Sequence, residues 1–443
     1  MGRWQRRFFL TTLCMAEKCL DGLHFFSFVL LPYLMFRDQW NVGTLFLASC
    51  CFSDVLFHIY CQLRVDDHSK NKLHVPTMDV QVKVRLASQL CNHMLNVDGD
   101  LGGWMIPPPN QKIHISDASR WLIWAFFGKA AEFLTMEEWN EAAKILDIFK
   151  KRMGGLDKSN TYKSFGCMTP NIDAMDVSFR PLLIHAAVAG YSLLLGGIWA
   201  RCGFTWCPSD MGLPYWIYEP IHQEGTPILF LYGGAFYTHL LPSHIPDLVK
   251  KYHNRRIILV SVPTTTPASA APIFTPPEIS GRLSRILKKN HIQQVSLISF
   301  SVGCIAASWF IKGYPNCVSQ LTMVEPVCFE MWDPSFVYSS LYGKPTCVMM
   351  HLYHLFTRDH VVASYLHNFW LPLYVFFPES ITMPAHIFIA GRDWLVNGPK
   401  TYQYLTTRKD KSNLEHIQLH HMDMTHGEFL VNNDIQDAIY SHL

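Results

Sequence analysis

The feature that most constrains the fold of this chain is an alternation of short apolar runs with helical stretches after about residue 215. The runs are PILFLYGG (227–234), RIILVSVP (256–263), QVSLISF (294–300), QLTMVEP (320–326), AHIFIAG (385–391) and HIQLHH (416–421). Short continuous apolar strands that alternate with helices are typical of a buried, mainly parallel sheet. The pattern therefore predicts an α/β architecture, in which a mainly parallel sheet is flanked by helices.

The rest of the chain divides into three segments by composition. Residues 328–384 are too long for a single connection between strands and are rich in aromatic side chains, so they indicate a helical cap inserted into the α/β domain. Residues 65–214 are mainly helical by periodicity and form a predicted accessory region. The predicted organisation is an N-terminal segment over residues 1–64, this accessory region, and an α/β domain over residues 215–443.

Two stretches of the N-terminal segment carry almost no formal charge. Residues 22–36 have none, and residues 39–63 have one, at Asp54. A bilayer span needs about 20 apolar residues, so the first stretch is short, while the second is long enough but contains Asp54 and His58. We expect the two stretches to form a membrane-associated helical hairpin. The alternative is a pair of buried core helices.

The expected topology follows from the charges around these stretches. Arg3, Arg6 and Arg7 favour the cytosolic side, and an even number of crossings would return the chain after residue 64 to that side. A further uncharged stretch, residues 181–200, has a Gly and Ala content that suits a helix packed against the main domain or lying in the membrane interface. We therefore expect an intracellular membrane protein whose main domain faces the cytosol.

The composition indicates which classes of partner to expect. The chain has 443 residues, of which 49% are hydrophobic and 16% charged, so it buries a large core or contacts lipid. Its net charge is only +2, and its Lys and Arg residues form no long stripe, so we expect no nucleic-acid partner. The 13 cysteines are scattered and never form paired CxxC knuckles, so they are expected to be small buried hydrophobes rather than zinc ligands.

A serine stands at the junction of a predicted strand and a predicted helix. The strand QVSLISF leads directly into Ser301, Val302 and Gly303, and a helical stretch follows. The sequence Ser299-Phe300-Ser301-Val302-Gly303 follows the G-x-S-x-G nucleophile elbow, with Ser299 in place of the first glycine. Such a turn holds its serine in a strained conformation, and small residues two positions on either side let strand and helix pass closely. Ser301 is therefore the predicted nucleophile.

An acid and a base follow two later predicted strands. Asp393 comes directly after AHIFIAG, and His426 comes shortly after HIQLHH. The chain order Ser301, Asp393, His426 is that of an α/β-hydrolase triad, with each residue beyond the carboxyl end of a strand. In this arrangement His426 would accept the Ser301 proton and Asp393 would hold the imidazole in the required tautomer.

The loop after the first apolar run supplies candidate groups for binding. Tyr232-Gly233-Gly234 stands where esterases carry a glycine loop whose backbone N–H groups stabilise an oxyanion. The N–H groups of Gly234 and Val302 are the predicted oxyanion donors. Tyr232 and Phe236 are the predicted contacts of the substrate. For Tyr232 the alternative is that its side chain packs under the elbow.

Two alternative readings concern the acid and the histidines. Glu325, at the end of the preceding predicted strand, is the reserve acid, although a buried or capping carboxylate is the other interpretation. His416, His420 and His421 lie close to His426 in sequence, but the spacing matches no helical HExxH pattern. We therefore expect no metal site and no cofactor.

Taken together, these motifs resemble the α/β-hydrolase superfamily over residues 227–443. The chain also resembles poorly characterised eukaryotic hydrolases with N-terminal transmembrane segments. That similarity lies in PILFLYGGAFYTHLLP, SFSVGCIAASWFIKGYP, MVEPVCF, RDHVVASYLHNFW, AGRDWLV and THGEF. The resemblance implies serine-hydrolase chemistry. It departs from the usual pattern at Tyr232, where histidine is commoner, and at Ser299, where glycine is commoner.

Two functional hypotheses follow. The first is a membrane-anchored serine hydrolase that cleaves a lipid or another hydrophobic carboxylic ester through an acyl-enzyme. The second is a catalytically weak or inactive α/β-hydrolase scaffold that binds a lipid or a protein partner, and it is motivated by Tyr232 and Ser299. Turnover that depends on Ser301 distinguishes the two.

Overall fold

The computed structural model of the chain describes residues 27, 29–31, 33, 42–70, 78–95, 102–106, 114–153, 166–173, 180–208, 213–233, 244–261, 274–357, 371–412 and 414–443. In the first low-charge stretch, residues 22–36, the structure describes residues 27, 29–31 and 33, which are helical, and the rest of the stretch lies outside these ranges. The second arm of the expected hairpin is described from residue 42 onwards.

In the described residues, five α-helices precede the large sheet. They are α1 (Val42–Lys70), α2 (Val80–Leu95), α3 (Ile115–Phe127), α4 (Met136–Met153) and α5 (Leu182–Arg201). Two short strands, β1 (Met105–Ile106) and β2 (Gly166–Cys167), form an antiparallel pair among these helices. This part of the chain is thus mainly helical where it is described, although the boundaries of the predicted domains stay predictions.

The large sheet has eight strands and begins at residue 204. The strands are β3 (Phe204–Cys207), β4 (Tyr215–Tyr218), β5 (Ile228–Tyr232), β6 (Ile257–Ser261), β7 (Val295–Phe300), β8 (Val318–Val324), β9 (Ala385–Arg392) and β10 (Ile417–Thr425). Their spatial order is β10-β9-β8-β7-β5-β6-β4-β3. The pairs β3–β4 and β4–β6 are antiparallel, and all other pairs are parallel. The predicted mainly parallel sheet is confirmed, and β3 extends it into the region predicted as the helical accessory region.

Helices and apolar side chains cover both faces of this sheet. Along the central strand β5, Leu229 and Leu231 belong to one core, while Ile228, Phe230 and Tyr232 belong to the other. A mainly parallel sheet between two helical layers, with a serine at the turn after β7, is the α/β-hydrolase fold that the sequence predicts. The helices of this part are α6 (His244–Lys251), α7 (Pro276–Lys289), α8 (Gly303–Gly313), α9 (Ser335–Val337), α10 (Val348–Thr357), α11 (Leu371–Tyr374), α12 (Gly398–Ser412) and α13 (Asn433–Tyr440).

The predicted cap segment packs against the helices that precede the sheet. Its described parts are residues 328–357 and 371–384, which include α9, α10 and α11. Trp332 is buried in the cap, and its carbonyl oxygen accepts a hydrogen bond from Trp104 Nε1 at 2.6 Å. One apolar core runs from α2 and α3 through the cap to one face of the sheet. α2 and α3 therefore share one hydrophobic core with the cap and the α/β domain.

A carboxylate in the middle of α1 joins this helix to α5. Asp54 is only 7% exposed, and its Oδ1 accepts a hydrogen bond from the N–H of Leu182, the first residue of α5, at 2.7 Å. A negative charge is favoured there because the N-terminus of a helix carries unpaired N–H groups and a partial positive charge. Nearby, the rings of Phe57 and His185 lie 4.8 Å apart. The pairing with α5 explains how an acidic residue is accommodated in an apolar helix.

Two described helical segments are long and apolar enough to cross a membrane. They are Val42–Leu63 in α1, with 22 residues, and Leu182–Arg201, which is α5, with 20 residues. The C-terminal end of α5 is buried against the sheet, where the rings of Trp199 and Trp216 lie 5.5 Å apart. Elsewhere the pair exposes large apolar side chains, among them Val42, Leu45, Phe46, Phe52, Leu56, Ile59, Leu63, Leu183, Leu193 and Leu194.

Candidate active site

Ser301 occupies a strained turn between β7 and α8. Its φ angle is 52°, in the left-handed region that residues other than glycine rarely adopt. The turn is held by backbone hydrogen bonds: the Ser301 N–H donates to the Val324 carbonyl, and the Cys304 N–H donates to the Ser301 carbonyl, both at 2.9 Å. Strain of this kind persists where the surrounding structure enforces it and is common at active sites. The predicted elbow geometry is thus present at the predicted residue.

Two glycines let the turn pass close to the neighbouring strand. A Cβ atom on Gly303 would overlap the Leu231 carbonyl oxygen, and one on Gly233 would overlap the backbone of Phe300 and Gly303. Neither glycine can therefore be replaced without moving the elbow. Ser299 occupies the position where the pattern usually has glycine, and it is accommodated differently: its hydroxyl points into the core and donates to Cys304 Sγ at 3.3 Å.

Ser301, His426 and Asp393 form a continuous polar chain. Ser301 Oγ lies 2.7 Å from His426 Nε2, and His426 Nδ1 lies 2.7 Å from Asp393 Oδ2. Ser301 and His426 are 4% and 3% exposed, and the Asp393 side chain is 2% exposed. Hydrogen bonds of this length in a buried site fit a nucleophile, a base and an orienting acid. The structure therefore brings together the three residues that the sequence places after β7, β9 and β10.

Hydrogen bonds that involve backbone groups hold both Asp393 and His426 in position. Asp393 Oδ1 accepts hydrogen bonds from the N–H groups of Leu395 at 2.7 Å and Val396 at 3.1 Å, so its Oδ2 is directed towards the imidazole. Trp394 Nε1 donates to the His426 carbonyl oxygen at 2.9 Å, and the two rings lie 5.4 Å apart. Trp394 is a positioning residue that the sequence analysis missed. Its place directly after the acid was the available signal.

A second carboxylate lies beside the histidine. Glu325 follows β8 with a φ angle of 49°, and its side chain is fully buried. Its Oε2 accepts a hydrogen bond from the Gly427 N–H at 2.6 Å and lies 3.8 Å from His426 Nδ1. Asp393 is closer to the imidazole, so Glu325 takes the place of a buried carboxylate that holds the histidine loop. This position corresponds to the buried-carboxylate interpretation of Glu325, and its role as a reserve acid stays a prediction.

The two carboxylates decide the charge of the imidazole. Burial by itself lowers the pKa of His426, but Asp393 and Glu325 more than offset this effect and raise the pKa to about 9. Burial raises the pKa of Glu325 to about 7, against the opposing effects of His426 and of the hydrogen bond from Gly427. The site therefore stabilises the imidazolium.

The predicted binding groups fall into two sets. Gly234 and Phe236 lie outside the described residues. Val302 follows Ser301, and within the described part of the chain no hydrogen bond occupies its N–H group. Tyr232 is 1% exposed and stacks on Phe230 with ring centroids 4.2 Å apart, so its side chain packs in the core on the other face of the sheet from Leu231. Its contact with substrate stays a prediction.

No protein-family model matches this sequence, and no curated protein matches it. Solved structures with a similar chain path include a carboxylesterase from Bacillus subtilis, with 12% identity, a TM-score of 0.39, and coverage of 57% of this chain and 98% of the other. A naproxen esterase from Bacillus subtilis has 13% identity and a TM-score of 0.41 and covers 58% and 96%. An enol-lactonase from Burkholderia xenovorans has 12% identity and a TM-score of 0.40 and covers 54% and 97%. The functional interpretation rests on the geometry of the site itself.

Proposed function

We propose that this protein is a membrane-anchored serine hydrolase that cleaves a hydrophobic carboxylic ester. The observation that carries the proposal is the chain from Ser301 Oγ through His426 to Asp393, with both contacts at 2.7 Å. The strained φ angle of Ser301 adds support because it belongs to the nucleophile elbow rather than to an ordinary turn.

The proposed reaction has two halves. In the first, Ser301 Oγ attacks the ester carbonyl carbon while its proton passes to His426 Nε2, and the carbonyl electron pair moves onto oxygen. Collapse of this intermediate expels the alcohol, which takes the proton from Nε2 and leaves the acyl group on Ser301. In the second half, His426 Nε2 takes a proton from water while the water oxygen attacks the acyl carbonyl carbon and forms a second tetrahedral intermediate. Its collapse breaks the bond between the acyl carbon and Ser301 Oγ, His426 returns the proton to Oγ, and the carboxylic acid is released.

Stabilisation of the intermediate needs donors aimed at the oxyanion. The Val302 N–H is suitable because it directly follows the nucleophile in the elbow, and Gly234 N–H is the proposed second donor. Asp393 supports the imidazolium formed in each half reaction, and Glu325 adds a second negative charge on the same side. Removing either carboxylate should therefore affect the base more than the nucleophile.

The membrane part of the proposal rests on α1 and α5. Both helices are long and apolar enough to cross a membrane, and large apolar side chains are exposed along both of them. Asp54 faces α5 rather than this surface, as polar groups in membrane helices usually do. An enzyme anchored in this way meets substrates that partition into the bilayer, so the anchor favours a lipid or another hydrophobic ester.

The decisive experiment is labelling with a fluorophosphonate probe, which reacts with activated serine nucleophiles. We expect wild-type protein to label and Ser301→Ala to fail. Ser308→Ala is the matched control, because Ser308 is a buried serine on α8, the helix that follows Ser301, and its hydroxyl donates to the Ile305 carbonyl at 2.7 Å. Equal labelling of wild type and Ser301→Ala would refute the mechanism, and absence of labelling in both would favour the non-catalytic scaffold.

A further inference from the structure

Three histidines that are separated in the sequence come together near the sheet edge that lies opposite the candidate active site. His386 lies at the start of β9, His420 lies in β10, and His442 follows α13 near the end of the chain. One ring nitrogen of each lies within 4.8 Å of the others, and His386 Nδ1 is 3.2 Å from His420 Nε2. We call these three residues the histidine cluster. The proposed hydrolysis assigns no role to the histidine cluster.

The backbone brings the three rings to one face. β9 and β10 run parallel with His386 opposite Gln418 and His420 opposite Phe388, so His386 and His420 are diagonal neighbours on the same side of the sheet. The His442 N–H donates to the Ile439 carbonyl at 3.1 Å, and the side-chain amide of Gln320 donates to the His442 carbonyl. The third ring is therefore held against the first two by the docked C-terminal helix.

The composition of the cluster suits a metal ion. Each of the three rings offers one nitrogen as a ligand atom, and the three ligand atoms lie within 4.8 Å of one another. Three imidazoles with an open fourth position are a known set of ligands for Zn²⁺, and imidazole also suits Cu²⁺ and Ni²⁺.

Ring stacking explains part of the arrangement. His420 stacks on Phe388 with ring centroids 4.2 Å apart and an angle of 9° between the planes. Stacking orients that ring but does not require three ring nitrogens to converge. Zn–N bonds of about 2.0 to 2.1 Å in a tetrahedral site place two ligand nitrogens about 3.4 Å apart. His386 and His420 are already this close, at 3.2 Å, whereas the three ligand atoms of the cluster together spread over as much as 4.8 Å. The rings are only partly buried, so side-chain rotation can supply the difference.

We propose that His386, His420 and His442 bind one Zn²⁺ ion or another imidazole-preferring divalent metal, with water completing the coordination. β9 carries His386 at its start, and Asp393 follows its end. The seven residue steps from His386 to Asp393 span about 23 Å at about 3.3 Å per residue. The metal would therefore not act on the ester. It would fasten the C-terminal segment to the sheet.

The test uses the purified full-length protein in detergent after treatment with a chelator, and ZnCl₂ is the probe. We expect about one Zn²⁺ per chain in a competition titration, an increase in the unfolding temperature, and with CoCl₂ a visible absorption band of tetrahedral Co²⁺. His386→Ala and His420→Ala should each weaken binding about tenfold or more. His421→Ala is the matched control, because His421 neighbours His420 on β10 but its ring lies 5.0 Å from Tyr402, outside the cluster.

The outcomes separate clearly. Binding that persists in His420→Ala, or that His421→Ala removes equally, overturns the site, as does the lack of stoichiometric binding to wild-type protein. Should a strand variant fail to fold, His442→Ala at the chain end replaces it, with folding checked by circular dichroism. Fluorophosphonate labelling of metal-free protein is measured in parallel, so failure of the proposed hydrolase and failure of the metal site are distinguished.

Discussion

The carboxylate of Glu325 accepts a hydrogen bond from the Gly427 N–H at 2.6 Å and so ties the loop that carries His426 to the end of β8. The same carboxylate lies 3.8 Å from His426 Nδ1. One buried acid thus contributes both to the position of the proposed base and to its charge. These two contributions can be separated by substitution.

The charge contribution predicts a pH effect for Glu325→Gln. A nearby negative charge stabilises the imidazolium and raises the pKa of His426, so removing the charge lowers that pKa. The base must be neutral to accept the Ser301 proton, and labelling should therefore rise with pH. In Glu325→Gln the rise should shift to lower pH by about one unit. The measurement is the rate of fluorophosphonate labelling from pH 5 to about pH 10, a range that brackets the ordinary and the raised pKa of the histidine.

Glutamine keeps an oxygen that can accept from Gly427, so this variant preserves the position of the loop. Glu219→Gln is the matched control, because Glu219 is half exposed and pairs with Arg256 far from the base. A purely structural role of Glu325 would lower the labelling rate at every pH without moving the midpoint, and that result would contradict an electrostatic role.

Asp393→Asn should nearly abolish the reaction. The substitution retains the shape of the side chain but removes its charge and its preference for the Nδ1–H tautomer of His426. Loss of this function in a Ser-His-Asp triad lowers turnover by about 10⁴-fold. Asp423→Asn is the control, since Asp423 lies two residues before the end of β10 with an 89% exposed side chain. Labelling within about tenfold of wild type in Asp393→Asn would point to another acid, with Glu325 as the first alternative.

The elbow should not tolerate a methyl group at Gly303. A Cβ there overlaps the Leu231 carbonyl oxygen, and the backbone of β5 cannot move without disturbing the centre of the sheet. We expect Gly303→Ala to lower the free energy of unfolding by about 3 kcal/mol and to abolish labelling. Gly197→Ala is the control, because a Cβ at that helical position meets no atom within 4 Å. Urea denaturation of both variants in detergent provides the comparison, and equal stability would contradict the close approach.

The link between α1 and α5 predicts a smaller effect. Asp54→Ala removes the acceptor of the Leu182 N–H and the charge at the start of α5. Loss of a helix cap costs about 1 kcal/mol, which corresponds to a decrease of about 2 °C in unfolding temperature for a chain of this size. Asp147→Ala is the control, since Asp147 pairs with Lys151 on the exposed surface of α4. Thermal unfolding in detergent measures both, and an equal effect of the two substitutions would speak against the cap.

The sheet could largely be predicted because its central strands are buried on both faces, β5 and β7 along their whole length. Continuous apolar runs mark β5 to β10, and the three residues placed after β7, β9 and β10 come together because parallel strands end at one edge. β3 and β4 were missed, and each has only four residues. β3 also directly follows the apolar helix α5, with Gly203 as the main interruption, and two of its residues are exposed, so no change in the sequence pattern marks where it begins.

The rest of the site depends on relationships that no local pattern contains. Glu325 reaches the histidine loop because its own backbone adopts a left-handed conformation. A glutamate in the sequence gives no indication of such a conformation. The histidine cluster needs the register of β9 against β10 and the docking of α13, and His386 and His442 lie far apart in sequence. Sequence spacing among His416, His420 and His421 thus could not predict a metal site, because two of the three proposed ligands come from elsewhere.

The last prediction concerns the side of the membrane on which the α/β domain lies. Arg3, Arg6 and Arg7 favour the cytosolic side of the first stretch, and a hairpin completed by α1 returns the chain to that side. Protease added to intact microsomes should therefore degrade the region after residue 64, as followed by an epitope at the C-terminus. A lumenal protein that stays protected until detergent is added is the control. Protection of the epitope in intact microsomes would place the α/β domain in the lumen, and α1 would then cross the bilayer without the first stretch.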